Sequence, residues 1–330
     1  MTGGAAVQAA PDRATLLAFL GVVVFGGVNA IAAKQMVLEL PPLWSAAIRF
    51  VAAGLILAAI AVATRRSFPR RASLLGALAY GTFGFAASYG LLYTSLRDVP
   101  SGTAMVLIAM TPLFTLGLAI AHRQERFQLQ GLIGALMAAT GIGIVFADQL
   151  GAAVPLISLV LILLGTTAIA ESGVIVKWIP KSDPFWTNAV AMLAGATLLL
   201  TLSFVAGESR PLPSSVGSWV ALGHLVVLGS VAMFSLYVFG ITRWTASAMS
   251  YTTLLMPLVT VALAAVIFSE GISPPFLVGG AVILAGVYVG SFARRGARRS
   301  TGTAAPECLP VADCADQLQP VRQQAAAARG

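Results

Sequence analysis

Long apolar stretches separated by short polar ones make up most of this chain. A helix rises about 1.5 Å per residue and the hydrocarbon core of a bilayer is about 30 Å thick, so roughly 20 apolar residues can cross it once. The pattern predicts ten such crossings. They lie near residues 14–37, 43–64, 74–95, 101–121, 129–147, 155–176, 185–206, 216–242, 245–268 and 275–292.

The fourth and ninth apolar stretches repeat each other at a distance of 145 residues. Residues 111–125, TPLFTLGLAIAHRQE, recur as residues 256–270, MPLVTVALAAVIFSE. Identical positions are Pro112/Pro257, Leu113/Leu258, Thr115/Thr260, Leu118/Leu263, Ala119/Ala264, Glu125/Glu270 and, in the next stretch, Leu132/Leu277, Gly134/Gly279 and Gly141/Gly286. A duplication of five helices explains this pattern. Because five is odd, the second copy enters the membrane from the opposite face, and the two repeats are inverted.

Each repeat has a proline within an apolar stretch, Pro112 in the first and Pro257 in the second. Proline removes one helical hydrogen bond and clashes with the preceding turn, so we expect a kink or an opening at both positions. Interrupted segments at corresponding places in two halves point to a central binding site in membrane transporters.

Composition supports a lipid environment. Hydrophobic residues make up 58% of the 330 residues and charged residues only 10%, whereas soluble domains average about 25% charged residues. We therefore predict an all-α membrane protein with ten transmembrane helices in two inverted five-helix repeats.

The distribution of lysine and arginine predicts the orientation. With the N-terminus in the cytoplasm, fourteen basic residues lie in cytoplasmic segments and three, Lys34, Arg97 and Arg210, on the other side. Basic residues favour the cytoplasmic side, so both termini are predicted to be cytoplasmic in a multi-pass protein of the cell membrane. The net charge of +8 is then a topology signal, and no nucleic-acid partner is predicted.

The predicted organisation has four parts. A cytoplasmic N-terminal tail (1–13) precedes the first repeat (14–147) and the second repeat (155–292), and a polar cytoplasmic tail (296–330) has a composition typical of disorder. Cys308 and Cys314 lie in that tail without a nearby histidine. Neither a metal site nor a stable disulfide is expected there.

Several short motifs together resemble those of the ten-helix, EamA-type members of the drug/metabolite transporter superfamily. Residues 25–29, FGGVN, are similar to the family's opening Trp-Gly-x-Asn, with Phe in place of Trp, and the second helix has the family's Arg-Phe pair at Arg49 and Phe50. Residues 42–44, PLW, recur as 184–186, PFW, although Arg49 corresponds to Ala191. The resemblance covers roughly residues 14–292.

This resemblance implies two five-helix bundles around a central cavity that opens alternately to each side. It also implies small metabolites as cargo. Members of the family include exporters of amino acids and carriers of nucleotide sugars or sugar phosphates. Polyanionic cargo fits poorly, because Arg49 is the one clearly intramembrane arginine and Lys34 lies near a helix end.

Three ionisable residues are predicted inside the membrane: Arg49, Glu171 and His224. A charge at a helix centre costs about 2.5–3.5 kcal/mol on insertion scales. Arg49 can bind a substrate carboxylate, or it can bond freed backbone carbonyls. Glu171 can carry protons or hold an amine, as a glutamate on the first helix of small multidrug exporters does, or bond its neighbours Ser172 or Thr167. His224 can be a relay or a packing residue.

Glu171 corresponds in the repeat to Asn29 or to the residue before it, which makes Asn29 a further candidate. Tyr89 and Tyr93 can share one face of the third helix, where they line a cavity or bond to other helices. All six residues, Asn29, Arg49, Tyr89, Tyr93, Glu171 and His224, are candidates for substrate binding or coupling.

The sequence therefore predicts a secondary transporter that exports small metabolites such as amino acids, with proton coupling and facilitated diffusion both allowed. Export of cationic drugs and a non-transporting scaffold or sensor are the alternatives. No catalytic residue, cofactor or metal is predicted, because the chain has two histidines, no intramembrane cysteine, and no HExxH, GxSxG or Walker motif. The predicted partners are the bilayer and a small-molecule substrate, and the oligomeric state stays open.

Overall fold

A computed structural model describes residues 11–99, 101–145, 147, 155–180, 182–268 and 274–292. Ten helical regions follow one another in this part of the chain. They are α1 (Arg13–Glu39), α2 (Pro42–Ala63), α3 (Arg71–Ser95), α4 (Ser101–Ile108 and Thr111–Ala121), α5 (Leu129–Val145), α6 (Leu156–Trp178), α7 (Pro184–Val205), α8 (Val216–Arg243), α9 (Ala246–Ser250 and Thr252–Phe268) and α10 (Pro274–Val287, continued by Tyr288–Phe292).

The ten helices coincide with the ten predicted crossings. Six of them are long and apolar enough to span a bilayer by themselves, namely α1, α2, α3, α6, α7 and α8. The other four contain the shorter apolar helices Val106–Ala121, Leu129–Val145, Ala246–Val259 and Pro274–Gly290. Large apolar side chains face outward along the bundle, for example Leu17, Leu156 and Val205 at 69%, 75% and 81% exposure. The prediction of an all-α membrane fold is confirmed.

Short polar residues fix where several helices begin. The Asp183 side chain accepts hydrogen bonds from the first amides of α7, and Ser215 and Thr245 do the same for α8 and α9. Such caps satisfy amides that have no partner within the helix. Proline also lies at the first turn of α2 and α7, where a missing N–H is harmless.

Equivalent helices pack in equivalent ways in the two repeats. Helix α2 packs along α7, and α5 packs along α10. Helix α1 packs against α8 and α9, and α6 packs against α3 and α4. Since α1, α8 and α9 correspond to α6, α3 and α4 in the repeat, each first helix lies against the third and fourth helices of the other repeat.

The glycine contacts at the crossing of α5 and α10 show that the two repeats are inverted relative to each other. A Cβ on Gly134 would lie 2.5 Å from the Gly286 carbonyl oxygen, and one on Gly141 would lie 2.7 Å from that of Gly279. In the 145-residue repeat, Gly134 corresponds to Gly279 and Gly141 corresponds to Gly286. The contact between Gly134 and Gly286 therefore corresponds to the contact between Gly279 and Gly141. A pseudo-twofold axis through this crossing relates the two contacts in this way.

A π-helical turn interrupts the third helix of each repeat. It spans Thr82–Ala87 in α3 and Val227–Ala232 in α8, which are again 145 residues apart. Turns of this kind are rare and often occur at functional sites. The third helix of each repeat thus contains one such turn.

The two prolines have different positions in their helices. Helix α4 is interrupted between Ile108 and Thr111, and Pro112 lies in the first turn of its second segment. Helix α9 is interrupted at Tyr251, and Pro257 lies inside the segment that follows. Both fourth helices are broken, but the break directly precedes the proline only in α4.

Side-chain contacts define the two ends of the bundle. At the end named here the basic end, Arg243 at the close of α8 lies 3.3 Å from Asp12 before α1, and Arg66 after α2 lies 3.3 Å from Asp183. A hydrogen bond from Thr15 and the nearby Arg243 guanidinium lower the pKa of the Asp12 carboxyl. At the opposite end, the Glu39 carboxylate accepts a 2.7 Å hydrogen bond from Ser215.

The structure describes almost none of the two predicted tails. Of the predicted N-terminal tail (1–13), residues 1–10 are outside the described residues, and so is the whole segment 296–330 with Cys308 and Cys314.

Replacing Gly141 by alanine should destabilise the protein, because its Cβ would meet the Gly279 backbone at 2.7 Å. Overpacking of this kind costs about 1–3 kcal/mol. Gly143 on the same helix has nothing within 4 Å of its Cβ position, so Gly143→Ala is the matched control and should hold or raise stability through helix propensity. Thermal unfolding in detergent measures both. Equal midpoints for the two variants would contradict the proposed crossing.

Candidate functional site

A cavity of about 210 Å³ lies among seven of the helices, α1, α2, α3, α4, α6, α8 and α9. Its lining begins at Tyr80 and Tyr237 and extends to Lys34 and Leu96, which lie near the ends of α1 and α3 at the opposite end of the bundle. Pockets for drug-sized ligands are larger, roughly 300–1,000 Å³. The cavity is therefore of a size for small metabolites.

Arg49 is the buried charge of this cavity. Its side chain is 1% exposed, and its three nitrogens donate hydrogen bonds to Ser230 Oγ (2.8 Å), Tyr93 Oη (3.0 Å) and the Gly229 carbonyl oxygen (2.8 Å). These partners belong to α8 and α3 and are all neutral. The guanidinium is thus solvated by dipoles, and none of these contacts cancels its charge.

The π turn of α8 supplies two of these three acceptors. The Gly229 carbonyl also accepts a 3.2 Å hydrogen bond from Asn29 Nδ2, so one oxygen joins α1, α2 and α8. A Cβ on Gly229 would lie 2.0 Å from Asn29 Oδ1. Only glycine allows this approach. The Asn29 Oδ1 atom is itself buried, with no hydrogen-bond partner among the described residues.

Aromatic rings enclose the guanidinium. The Arg49 Cζ atom lies 5.0 Å from the Phe50 ring centroid and 5.2 Å from that of Tyr89. The negative faces of such rings attract a cation. Tyr93 packs edge-on against Tyr89 at 5.6 Å between centroids. The predicted face of α3 that carries Tyr89 and Tyr93 therefore lines the cavity beside Arg49.

The lining of the cavity is positively charged. Among the described residues, Arg49 and Lys34 are the charged side chains that line it, and no aspartate or glutamate does. Lys34 Nζ donates a 2.7 Å hydrogen bond to the Leu96 carbonyl at the end of α3. Two cations in a site surrounded by lipid favour a ligand that brings negative charge.

Glu171 lies outside this lining and pairs with a residue that the sequence-based candidates did not include. Its Oε1 atom is 3.2 Å from His122 Nε2, and its Oε2 atom is buried with no hydrogen-bond partner in the described part of the chain. His122 also packs edge-on against Trp178 at 5.3 Å. Its position one residue after α4, at the end where α6 finishes, was the available signal.

The remaining candidate, His224, is also absent from the cavity lining. It lies on α8 near the opposite end of the bundle and does not contribute to the lining. Its Nε2 atom is buried and has no hydrogen-bond partner among the residues that the structure describes. The structure thus brings Asn29, Arg49, Tyr89 and Tyr93 together in the cavity lining, to which Glu171 and His224 do not contribute.

A second polar network joins four helices at the basic end, beyond the cavity. Gln124 Nε2 donates to the Val174 carbonyl at 2.8 Å, and Glu125 Oε1 accepts from the Ser247 amide at 3.2 Å. Lys177 Nζ donates to the carbonyls of Ile241, at 2.9 Å, and Trp244. The ends of α4, α6, α8 and the start of α9 are thereby held together.

The described residues contain no group of three or more His, Cys, Asp or Glu side chains that could hold a metal ion.

The chain matches a known protein family in sequence and a solved protein in fold. The model of the EamA-like transporter family matches residues 13–147 and again residues 156–292. A solved chain described as "Crystal structure of protein" superposes with a TM-score of 0.72 over 87% of this chain and 100% of its own, at 19% identity. At that identity the likeness concerns the fold alone.

Curated relatives carry transporter names. The "Uncharacterized inner membrane transporter YedA" of Escherichia coli is 29% identical over 257 residues, which are 76% of this chain and 81% of the relative. The "Probable amino-acid metabolite efflux pump" of Salmonella typhimurium is 25% identical over 84% of this chain and 95% of its own. The "Probable terminal-alkyne amino-acid exporter" of Streptantibioticus cattleyicolor is 27% identical over 68% and 75%.

The two matched segments cover most of the chain and coincide with its two sets of five helices around a central cavity. The chain is a multi-pass membrane protein that belongs to the EamA-like transporter family.

Proposed function

We propose that this transporter exports small metabolites that carry a carboxylate, amino acids among them, across the cell inner membrane by alternating access. The observation that carries the proposal is the buried Arg49 guanidinium, whose hydrogen-bond partners are all neutral, in a cavity of about 210 Å³. A carboxylate can pair with a guanidinium through two parallel hydrogen bonds. Two relatives are named for amino-acid export or efflux.

The orientation follows from the basic residues. With the basic end in the cytoplasm, as the predominance of cytoplasmic lysine and arginine in membrane proteins favours, both termini are cytoplasmic. The cavity then extends toward the outer side, to Lys34 and Leu96. The contacts of Gln124, Glu125 and Lys177 close the cytoplasmic side. Loading from the cytoplasm requires that these contacts break.

The charge of the cavity lining favours a carboxylate substrate over a cationic drug or a polyanion. A cationic drug would meet Arg49 and Lys34 with no lining carboxylate among the described residues. Like charges in such a site repel, which argues against cationic cargo. A polyanion such as a nucleotide sugar would need more than two cations. One carboxylate on a small body fits the charge that the cavity holds.

Proton coupling, where it occurs, is proposed to use Glu171 outside the cavity. Its carboxylate faces His122 from α4, and Glu125 and Lys177 lie at the same end of the bundle. A proton taken up by this carboxyl would change its contact with His122, which joins the end of α4 to α6.

Arg49→Gln should lower transport of a carboxylate substrate about ten- to a hundredfold, because hydrogen bonds to a charged group contribute about 1.5–3 kcal/mol and each 1.4 kcal/mol is a factor of ten. Uptake of radiolabelled neutral and aromatic amino acids into proteoliposomes measures it. Arg210→Gln, at an exposed arginine outside the cavity lining, is the matched control and should keep the wild-type rate. Full activity of a folded Arg49→Gln protein would overturn the proposed carboxylate site.

Gly229→Ala should impair transport although it changes no charge. The added Cβ would displace the Asn29 side chain, which donates to the same Gly229 carbonyl that Arg49 binds. The same uptake assay measures the loss. Gly223→Ala, on α8 with nothing within 4 Å of its Cβ position, should be neutral. Equal rates for the two alanine variants would show that the π-turn geometry has no role in transport.

Glu171→Gln should abolish any acceleration of uptake by an imposed pH gradient, because the amide cannot take up a proton. Uptake with and without the gradient measures it, and Asp98→Asn, at the opposite end of the bundle, is the control. Stimulation that persists in Glu171→Gln would exclude this carboxyl as the coupling group. Absence of stimulation in the wild type would indicate facilitated diffusion.

A further inference from the structure

Among the described residues, six serine and threonine side chains line the cavity, and the hydroxyl of each donates its hydrogen to the backbone. They are Thr111 and Thr115 on α4, Ser172 on α6, and Ser250, Thr252 and Thr253 around the break in α9. Each donates to a backbone carbonyl three or four residues earlier in the chain. Thr115 and Thr252 are both 1% exposed, and both donate at 2.8 Å.

This arrangement decides what the hydroxyls can offer to a ligand. A hydroxyl has one hydrogen to donate and two lone pairs that accept. With the hydrogen committed to the backbone, only lone pairs remain for the cavity. The six side chains therefore form a lining that accepts hydrogen bonds, and a ligand group that fits it must donate them.

The hydroxyls lie on a different set of helices from Arg49. The guanidinium is held among α2, α3 and α8. The six hydroxyls belong to α4, α6 and α9, and the first segment of α9 packs directly against α4 and α6. The cavity thus has a cationic wall and a separate wall of acceptors.

We propose that the hydroxyl wall is an ammonium subsite, so that the cavity recognises α-amino acids as zwitterions, with the carboxylate at Arg49 and the ammonium at the hydroxyls. An ammonium group has three N–H donors and no acceptor, which matches a wall of lone pairs. This inference rests on the proposed function. It assigns the amine to Thr115, Ser250, Thr252 and their neighbours, and not to Glu171, which pairs with His122 outside the lining.

Hydroxyl-to-backbone bonds also occur in this protein where no ligand can reach. Thr166 on α6 is 0% exposed, donates to the Ile162 carbonyl at 2.8 Å, and does not line the cavity. Its geometry matches that of Thr115, which is 1% exposed and donates to the Thr111 carbonyl at 2.8 Å. A comparison of variants at Thr115 and Thr166 therefore distinguishes a role in ligand binding from a role in helix packing.

The test compares an amino acid with the same molecule without its amino group. Competition by unlabelled phenylalanine and by 3-phenylpropionate is measured against uptake of labelled phenylalanine in proteoliposomes, and leucine and 4-methylpentanoate form a second pair. The wild type should prefer the amino acid about tenfold or more, as expected for the loss of hydrogen bonds to a charged group. Thr115→Val should reduce that ratio several-fold through weaker binding of phenylalanine, with binding of 3-phenylpropionate unchanged.

Thr166→Val is the matched control and should keep the wild-type ratio, and Ser250→Ala provides a second test on α9 if Thr115→Val does not fold. Equal affinity of the wild type for both compounds would overturn the ammonium subsite while the carboxylate site stands. So would an unchanged ratio in folded Thr115→Val and Ser250→Ala proteins. Failure of the wild type to move or bind any of the four compounds would overturn the proposed function, and the subsite with it.

Discussion

The burial of one guanidinium is the interaction on which the site depends. Arg49 lies in a bundle surrounded by lipid, where an unsolvated charge would be very unfavourable, so protein dipoles must take the place of water. Ser230, Tyr93 and the Gly229 carbonyl do so from two other helices. These bonds hold α2, α3 and α8 together, and the approach of Asn29 from α1 to the same carbonyl is the reason for a residue without a Cβ at position 229.

The second constraint is the pseudo-twofold relation between the repeats. The backbone follows this relation more closely than the side chains do. The glycine contacts between α5 and α10 and the two π turns obey it. The ionisable groups do not, because Arg49 corresponds to Ala191 and the region of Asn29 to that of Glu171. A nearly symmetric scaffold therefore carries a cationic site toward one end and a carboxyl–imidazole pair toward the other.

The sequence predicted the ten helices, the repeat and the buried position of Arg49, because apolar length, fixed spacing and the rarity of intramembrane charge are properties of single segments. It did not predict that His122 pairs with Glu171, since a residue just past a helix end gains its partner only when α4 and α6 pack together. The π turns were not predicted either. Nor was the place of Lys34 in the lining, which depends on how the end of α1 packs against the end of α3.

The matched π turns also bear on the history of the molecule. A π turn accommodates more residues than an α turn, and it therefore rotates every later side chain of its helix relative to the earlier ones. Thr82–Ala87 and Val227–Ala232 occupy the same place in their repeats. A single ancestral five-helix unit that already had this irregular turn before it duplicated accounts for both copies with one event, whereas separate origins would need the same rare distortion twice.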